Sequence, residues 1–219
     1  MHITIDEELK KKCARVALGV VSAQVRTLDS PEPLIAEMKL RESEILKLPD
    51  PRSVLESSKI TATRAGYKAL GKDPSRYRGS AEALLRRLIS GKGFPHINSV
   101  VDVINLVSVE SRLPIGLYDR AQVNGEVIFR AGKSGETYMG IGKYDLNLEG
   151  LPVFCDTMGP HGSPTSDSLR TMVTPATDRV VAVVVSFAGV EGLEVIGQRL
   201  SGLLQQYAEG KEIVSSVLS

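Results

Sequence analysis

The chain has 219 residues, of which 42% are hydrophobic and 24% are charged, as is usual for globular proteins. This composition excludes a disordered tail, a collagen-like chain and a small disulfide scaffold. With 27 basic and 26 acidic residues the formal net charge is +1, which predicts no indiscriminate attraction to nucleic acid or to membranes. A chain of this length can bury a large core without metal or disulfide support, so residues 1–219 are predicted to form one compact domain.

The sequence predicts a cytoplasmic protein with no membrane partner. Its start, MHITIDEELKKKCARV, has acidic residues where a signal peptide needs an uninterrupted apolar stretch. The longest apolar run, residues 180–185, is far shorter than the roughly 20 residues that a membrane span requires. Only Cys13 and Cys155 are present, and both are expected to be reduced in that compartment.

The N-terminal half is predicted to be mostly helical after two initial strands. MHITID is typical of a short edge strand, and residues 16–25 (VALGVVSAQV) are typical of a buried one. Amphipathic spacing then predicts helices over residues 30–58 and 60–70.

Two further helices have clear starting signals. Ser80 is the predicted N-cap of a helix whose apolar stripe ends before Gly91. Ser99 is the predicted N-cap of the segment VVDVINLVSVE, which is apolar on nearly all sides. That distribution indicates a helix buried in the core.

The C-terminal half changes to short strands. VIFRA and ETYMGIG are predicted to form a hairpin around residues 132–135 (GKSG), and LPVFCD and RVVAVVVSF are two more strands joined by the loop MGPHGSPTSDS. An amphipathic helix is predicted over residues 191–209. Helices followed by strands favour the α+β class.

Basic residues concentrate between positions 59 and 92, where nine basic residues stand against two acidic ones. Three of them, Arg64, Lys68 and Lys72, have the spacing of one helical stripe, which suits a row of phosphates. A solvated helix face is the alternative interpretation. The aromatic residues nearby that could stack on bases are Tyr67 and Tyr77.

The buried helix carries three polar side chains, Asn98, Asp102 and Asn105, within a narrow arc. Because buried polar groups need partners, they form either the floor of a ligand pocket or a structural network. The network would tie the helix to loop amides at residues 114–119.

The segment at residues 159–174, GPHGSPTSDSLRTMVT, is rich in groups that bind polar ligands. It could instead be a solvated connection, since irregular loops serve both purposes. A serine hydrolase is disfavoured because there is no G-x-S-x-G elbow, and AGKSGET lacks the first glycine of a phosphate-binding loop. Without paired Cys or His spacing, no metal and no cofactor is predicted. The polar side chains of the segment are His161, Ser163, Thr165, Ser166, Asp167, Ser168, Arg170 and Thr171.

The run from GSAEALLRRLISGKG through SVVDVINLVS and LPIGLYD to NGEVIFRAGKSGE resembles a known family. It is similar to the tRNA-binding and editing domain of the bacterial phenylalanyl-tRNA synthetase beta subunit, called the B-three/B-four domain, and to its stand-alone relatives. The resemblance is strongest over residues 60–187. It implies an α+β fold with a β-sandwich-like core of unusual topology packed with helices. It also implies a pocket between the two halves, which in the synthetase hydrolyses tyrosine wrongly attached to the phenylalanine tRNA.

Two positions depart from the pattern of that family. Gly116 stands where the synthetase usually has a histidine, and Val183 stands where it has the glutamate that recognises the tyrosine hydroxyl. A valine cannot accept that hydrogen bond, and an unpaired buried hydroxyl costs about 1 to 3 kcal/mol. Specific editing of tyrosine is therefore not expected.

The expected function is that of a tRNA-binding, editing-like domain that hydrolyses another mischarged aminoacyl-tRNA in trans, and the chain is not a synthetase by itself. A water would be positioned by the loop, with the ribose hydroxyl of the substrate assisting and His161 as base. Alternatives are a catalytically inactive module that binds RNA or an amino acid, and a small-molecule binder that reuses the pocket. DNA is not an expected partner.

The residues assigned to this function fall into three groups. The predicted catalytic residues are His161, Ser163, Thr165 and Ser166. The predicted substrate-binding residues are Asn98, Asp102, Asn105, Gly116 and Arg170, and the predicted RNA-backbone contacts are Arg64, Lys68, Arg86 and Arg87.

Overall fold

The computed structural model describes residues 1–142 and 145–219 and confirms the α+β class. The helices are α1 (Glu7–Lys12), α2 (Glu32–Leu46), α3 (Ser58–Ala69), α4 (Ser80–Ile89), α5 (Ser99–Ser111) and α6 (Leu193–Tyr207). The strands are β1 (Ile3–Ile5), β2 (Ala17–Gln24), β3 (Ile115–Asp119), β4 (Val127–Ala131), β5 (Thr137–Met139), β6 (Asp145–Asn147), β7 (Pro152–Asp156), β8 (Gly159–Gly162), β9 (Arg179–Ser186) and β10 (Lys211–Leu218). Short 3-10 turns cover residues 51–56, 120–122 and 169–171.

The central sheet contains the strands β10, β2, β9 and β3 in that order, all paired antiparallel. Side chains of a strand alternate between the two faces of its sheet. Along β9, residues 180, 182 and 184 accordingly face the helices, while residues 181, 183 and 185 face the other sheet. The continuous valine run is explained by burial of β9 on both faces.

The outer sheet contains β1, β4, β7 and β8 in that order, with β1 parallel to β4 and the other pairs antiparallel. The predicted edge position of MHITID is therefore confirmed. The predicted hairpin of VIFRA with ETYMGIG is wrong, because β4 pairs with β1 and β7, whereas β5 pairs with β6. Tertiary pairing outweighed the local turn signal.

The central sheet separates two hydrophobic clusters. One cluster lies between this sheet and helices α2, α4, α5 and α6. The other fills the space between the two sheets and includes Phe129 and Phe154, which stack at 4.4 Å between ring centroids. The molecule is thus a sandwich of two sheets with helices on the far side of the central one.

Both predicted serine N-caps lie one residue too late in the chain. The Asn98 side chain accepts a hydrogen bond from the Val101 amide at 2.9 Å, so Ser99 is the first residue of α5. Ser80 likewise follows the N-cap position, which is Gly79. In each case the preceding residue has the extended backbone that an N-cap needs.

Other elements also differ from the sequence prediction. The helix predicted over residues 30–58 is divided into α2 and a 3-10 turn, because Pro49 lies between them and Pro51 begins the turn. Helix α1 and strand β10 were not predicted, and β3 and β8 were interpreted as loop. None of the helices in residues 1–142 and 145–219 has both the length and the apolarity needed to cross a bilayer.

Candidate functional site

The candidate site lies where the edge strands of the two sheets, β3 and β8, approach each other. Tyr118 on β3 points into the gap and is only 1% exposed. Its ring packs edge-on at 4.7 Å from the His161 ring and at 5.8 Å from the Phe154 ring. The gap is therefore lined by aromatic groups from both sheets.

The two positions that depart from the family pattern are direct neighbours. Gly116 pairs with Val183 across β3 and β9. Gly116 lies on the same face of β3 as Tyr118, whose hydroxyl occupies the space that a side chain at position 116 would need. The space beside Gly116, at the position of the family's histidine, is thus filled here by the Tyr118 side chain.

Ser163 closes the loop that follows β8 and has no free hydroxyl. Its Oγ donates to the Ser166 carbonyl at 2.9 Å, accepts from the Ser166 amide at 3.1 Å and contacts the Tyr138 hydroxyl at 3.1 Å. A hydroxyl engaged in this way is a structural group. Its predicted catalytic role is therefore not supported by its environment.

The same loop is joined to the basic helices by two contacts. The Tyr67 hydroxyl of α3 lies 2.9 Å from Thr165 Oγ1, and the Ser80 amide of α4 donates to the Pro164 carbonyl at 2.8 Å. Thr165 therefore links the loop to α3. Tyr67 itself is 1% exposed, so the prediction that it is a stacking platform for bases is wrong.

His161 is buried, and neither ring nitrogen has a hydrogen-bond partner among the described residues. Burial lowers the pKa of His161 to about 4. The imidazole is therefore neutral near pH 7, and such a low pKa makes it a weak base. No carboxylate in the described part of the chain orients it, unlike the base of a catalytic triad.

Asp167 is better matched to proton transfer than His161. Its Oδ2 accepts from the Leu117 amide at 3.1 Å, while the buried Oδ1 has no partner in the described ranges. Burial raises the pKa of Asp167 to about 7. The carboxyl lies beside the Tyr118 hydroxyl, and burial together with the negative charge of Asp167 raises the pKa of that hydroxyl. A base with a pKa near the working pH transfers protons most effectively.

Arg170 is fully engaged in a structural ion pair, so it is not free for the predicted contact with substrate. Its guanidinium holds both oxygens of Asp156, at 3.0 and 2.9 Å, and also donates to the carbonyls of Gln122 and Gly159. Burial alone would raise the pKa of Asp156, but these hydrogen bonds keep it below its ordinary value.

The polar face of α5 belongs to a structural network away from the gap. Asp102 is fully buried and accepts from the Ser30 hydroxyl at 2.7 Å and from the Ile97 amide at 3.1 Å. Asn98 caps its own helix, and Asn105 is half-buried on the same helix. These contacts favour the structural network over the pocket floor, and its partners among the described residues are Ser30 and Ile97.

Arg64, Arg78 and Arg86 line a cleft of about 200 Å³ together with Glu82, and we call it the basic cleft. Arg64 and Arg86 both hold the buried Glu82 carboxylate, at 3.0 and 2.8 Å. Burial by itself raises the pKa of Glu82, but the two arginines outweigh it and lower the pKa. One carboxylate thus fixes two arginines, and the cleft remains positive.

The remaining basic residues do not form the predicted stripe. Helix α3 ends at Ala69, so Lys72 lies beyond it and stands 4.2 Å from the centre of the Tyr77 ring. Arg87 donates to the carbonyls of Lys92 and Gly93 at the end of its own helix. Lys68 is exposed on α3.

Sequence reasoning did not assign roles to Tyr118 or Tyr138 and named Asp167 only as one polar loop residue. The usable signal was the order of residues in LPIGLYD, where positions 116 and 118 share one face of a strand.

In residues 1–142 and 145–219, no three His, Cys, Asp or Glu side chains are grouped so that they could hold a metal ion.

Similarity to known proteins covers this whole region. The family model described as "B3/4 domain" matches residues 62–193, which include the gap, the loop and the basic cleft. The phenylalanine–tRNA ligase beta subunit of Brucella abortus is 28% identical over 83 residues, or 37% of this chain and 10% of that protein. The corresponding subunit of Paramagnetospirillum magneticum is 29% identical over 83 residues, again 37% of this chain and 10% of that protein.

A solved structure shares the fold. The N-terminal fragment of the phenylalanyl-tRNA synthetase beta subunit from Pyrococcus horikoshii matches 100% of this chain and 54% of that chain, with a TM-score of 0.52 and 15% sequence identity. The matched segment thus spans about 10% of the curated beta subunits and 54% of the Pyrococcus fragment. Since the family model matches more than half of the chain, the protein belongs to the B3/4 domain family.

Proposed function

We propose that this protein is a tRNA-binding, editing-like domain that hydrolyses a mischarged aminoacyl-tRNA in trans. Phenylalanine–tRNA ligase beta subunits contain segments similar to this chain, which makes a charged tRNA the natural class of substrate. The basic cleft would bind the RNA backbone, and the gap between β3 and β8 would receive the aminoacyl group.

The observation that carries the proposal is the direct connection between these two places. Tyr67 lies one helical turn from Arg64 and contacts Thr165 in the loop of the gap. The amide at the start of α4, the helix of Glu82 and Arg86, donates to the carbonyl of Pro164. An RNA held in the cleft would therefore have its reactive end close to the loop.

Asp167 has the properties needed to activate water in this proposal. Its carboxylate would take a proton from a water molecule whose oxygen attacks the ester carbonyl carbon. When the tetrahedral intermediate collapses, the ester bond to the ribose breaks and the ribose oxygen takes that proton back from Asp167. His161, as a neutral imidazole, would act as a hydrogen-bonding group rather than as the base.

A catalytically inactive binding module is the second candidate. It is favoured by the absence of an imidazole at Gly116 and of a carboxylate at Val183. In that case the gap would bind an aminoacyl group or RNA end without turnover.

Binding of tRNA tests the RNA part of the proposal. Filter retention of uncharged and aminoacylated tRNA at about 50 and about 200 mM salt should show affinity that falls steeply with salt. A plot of the logarithm of the binding constant against the logarithm of the salt concentration has a negative slope. Arg78→Ala should reduce the magnitude of that slope by about 1, because the exposed Arg78 lines the cleft. Lys211→Ala, an exposed change on β10, is the matched control. Absence of binding at both salt concentrations would contradict the proposal and favour a small-molecule binder.

Hydrolysis of aminoacyl-tRNA tests the catalytic part. Asp167→Asn keeps the shape of the side chain and should reduce single-turnover deacylation by about 100-fold or more, because it removes the general base. The exposed Asp178→Asn should leave the rate unchanged. Salt-sensitive tRNA binding with no deacylation by the unmodified protein would identify the inactive module instead.

A further inference from the structure

Strand β10 is a long edge strand whose outer side has no partner. It pairs with β2 and with no other strand in the described part of the chain. None of its eight residues is buried, whereas β3, at the opposite edge of the central sheet, is buried at every residue. The outer side of β10 therefore presents a row of N–H and C=O groups that a further strand could bind.

The features that usually protect an edge strand are confined to the beginning of β10. Lys211 and Glu212 are charged, Glu212 has a positive φ, and the pairing with β2 is irregular up to Val214. Residues 213–218 (IVSSVL) then contain no charge, proline or glycine, and residues 214–218 pair with β2 in regular register. Val214 is 63% exposed. A regular, uncharged and exposed edge favours pairing with another strand.

Helix α6 lies directly beside this edge. A Cβ at Gly197 would meet both Ser215 of β10 and Val21 of β2, so α6 packs over the boundary between these two strands. On its other flank, Arg199 of α6 pairs with Glu110 of α5. The flank of α6 that faces away from α5 is therefore next to the free side of β10, and it includes residues 198, 201, 202 and 205, none of which is charged.

Gly202 on that flank has no structural reason within a single chain. It is exposed in the interior of α6, its φ is not positive, and a side chain there would meet nothing within 4 Å. Glycine weakens a helix relative to alanine. A glycine with open space beside it allows another backbone to approach closely.

We propose that two copies of this chain form a dimer by pairing their β10 strands antiparallel about a two-fold axis. The two four-stranded central sheets would then become one continuous sheet of eight strands. The same surface of each copy forms the interface, as two-fold symmetry requires. Strand β10 of a second copy is already extended and ordered, whereas a disordered peptide would lose conformational entropy on binding to the same edge.

The register of the pairing follows from the faces of β10. Ser215 faces α6, so residues 213, 215 and 217 share the helix side of the sheet. A two-fold axis perpendicular to the sheet keeps the helix sides of both copies on one face, so these residues must pair with one another. The register centred on Ser215 places Ile213 opposite Val217 and Val214 opposite Ser216, on both sides of the axis. It pairs apolar side chains with each other and sets no like charges opposite.

This arrangement also brings the two α6 helices together. Neighbouring strands are about 4.8 Å apart, so helices over the boundary of β10 and β2 in each copy would lie about 10 Å apart, which is the distance between packed helices. Gly202 and the uncharged residues beside it would then line the contact between the helices. The candidate site stays accessible in both copies, because β3 and β10 are opposite edges of the central sheet.

The molar mass in solution tests the inference without reference to tRNA. Light scattering or sedimentation should approach twice the 23.6 kDa mass of one chain as the protein concentration rises. The double substitution Val214→Lys with Ser216→Lys should weaken dimerisation by at least about tenfold, because like charges would then face each other across the axis. The double substitution Val214→Glu with Ser216→Glu should act in the same way. An equal mixture of the two variants should dimerise again, because opposite charges then meet.

Two further variants complete the experiment. Ile128→Lys places a lysine on an exposed position of β4 and should leave dimerisation unchanged. Gly202→Leu fills open space in the single chain, so it should fold normally, but it should weaken the dimer by separating the α6 helices. A protein that stays monomeric at every concentration, or a dimer that persists in both charged variants and in Gly202→Leu, would overturn the inference.

Discussion

His161 and Asp167, which both lie beside Tyr118, show how burial shifts the pKa of two residues in opposite directions. Burial disfavours the charged form of each, so the pKa of His161 falls to about 4 and that of Asp167 rises to about 7. Both side chains are consequently uncharged over most of the range between these values. This arrangement keeps net charge out of the gap between the sheets.

The dependence of stability on pH should reveal both shifts. Between about pH 4 and 6.5 the unfolded chain binds one more proton at His161 than the folded chain, so stability rises with pH. Between about pH 4 and 7 the folded chain binds one more proton at Asp167, so stability falls with pH. In the unmodified protein the two slopes oppose each other and nearly cancel.

Single substitutions separate the two contributions. As the pH rises from 4.5 to 7, the free energy of unfolding of the Asp167→Asn variant should rise by about 2 kcal/mol, because only the His161 contribution remains. That of the His161→Gln variant should fall by about 2 kcal/mol, because only the Asp167 contribution remains. Urea denaturation at both pH values checks this. Parallel pH profiles in the two variants would show that these groups are not buried as the structure places them.

At the scale of elements, Glu82 connects two helices. It lies on α4, is 4% exposed, and holds Arg64 of α3 as well as Arg86 of its own helix. An acidic residue in the first turn also interacts favourably with the helix dipole. The same residue thus stabilises the packing of α3 on α4 and sets the positions of two arginines in the basic cleft.

Removing the charge of Glu82 should lower the free energy of unfolding more than removing the charge of an exposed acid. Glu82→Gln leaves Arg86 without its carboxylate partner and Arg64 with only the exposed Glu56, and it should lower the free energy of unfolding by about 2 kcal/mol. Glu44→Gln removes the acid from an exposed pair with Arg41 and should change it by less than about 0.5 kcal/mol. Equal effects of the two substitutions in chemical denaturation would contradict this role of Glu82.

At the scale of the whole molecule, the central sheet takes part in both hydrophobic clusters. Along β9, alternate side chains enter the cluster on the helix side and the cluster between the sheets. Loss of either cluster would therefore expose one face of the same strands. This coupling predicts one cooperative unfolding transition for the chain.

Two neighbouring residues on β4 test that coupling. Phe129 is 0% exposed and Ile128 is 43% exposed. Phe129→Ala should lower the free energy of unfolding by about 3 to 5 kcal/mol, whereas Ile128→Ala should lower it by less than about 1 kcal/mol. Far-UV circular dichroism and tyrosine fluorescence should give the same midpoint in every variant, since the chain has no tryptophan. Separate midpoints would indicate two independently unfolding parts.

Elements with a strong periodic pattern were predictable from the sequence. β2, β9, α4, α5 and α6 are all found close to their predicted positions, because apolar periodicity reflects the buried face of an element. The pairing of β4 was mispredicted, because a Gly-rich turn signal is local whereas strand partners are chosen by burial against the rest of the fold. The short strands β3 and β8 contain glycine or proline, which weakens any strand signal.

The sequence by itself determined the fold class, the family resemblance and the two departures at Gly116 and Val183, because these depend on residue identity and order. Only the tertiary structure decided that Gly116 and Val183 are paired, that the Tyr118 hydroxyl fills the space beside Gly116, and that Asp167 lies beside that hydroxyl. Strand register, burial and the partners of a polar atom depend on residues far apart in the chain. Local sequence patterns contain no information about such distant contacts, and this is why the environments of the loop side chains could not be predicted from the sequence.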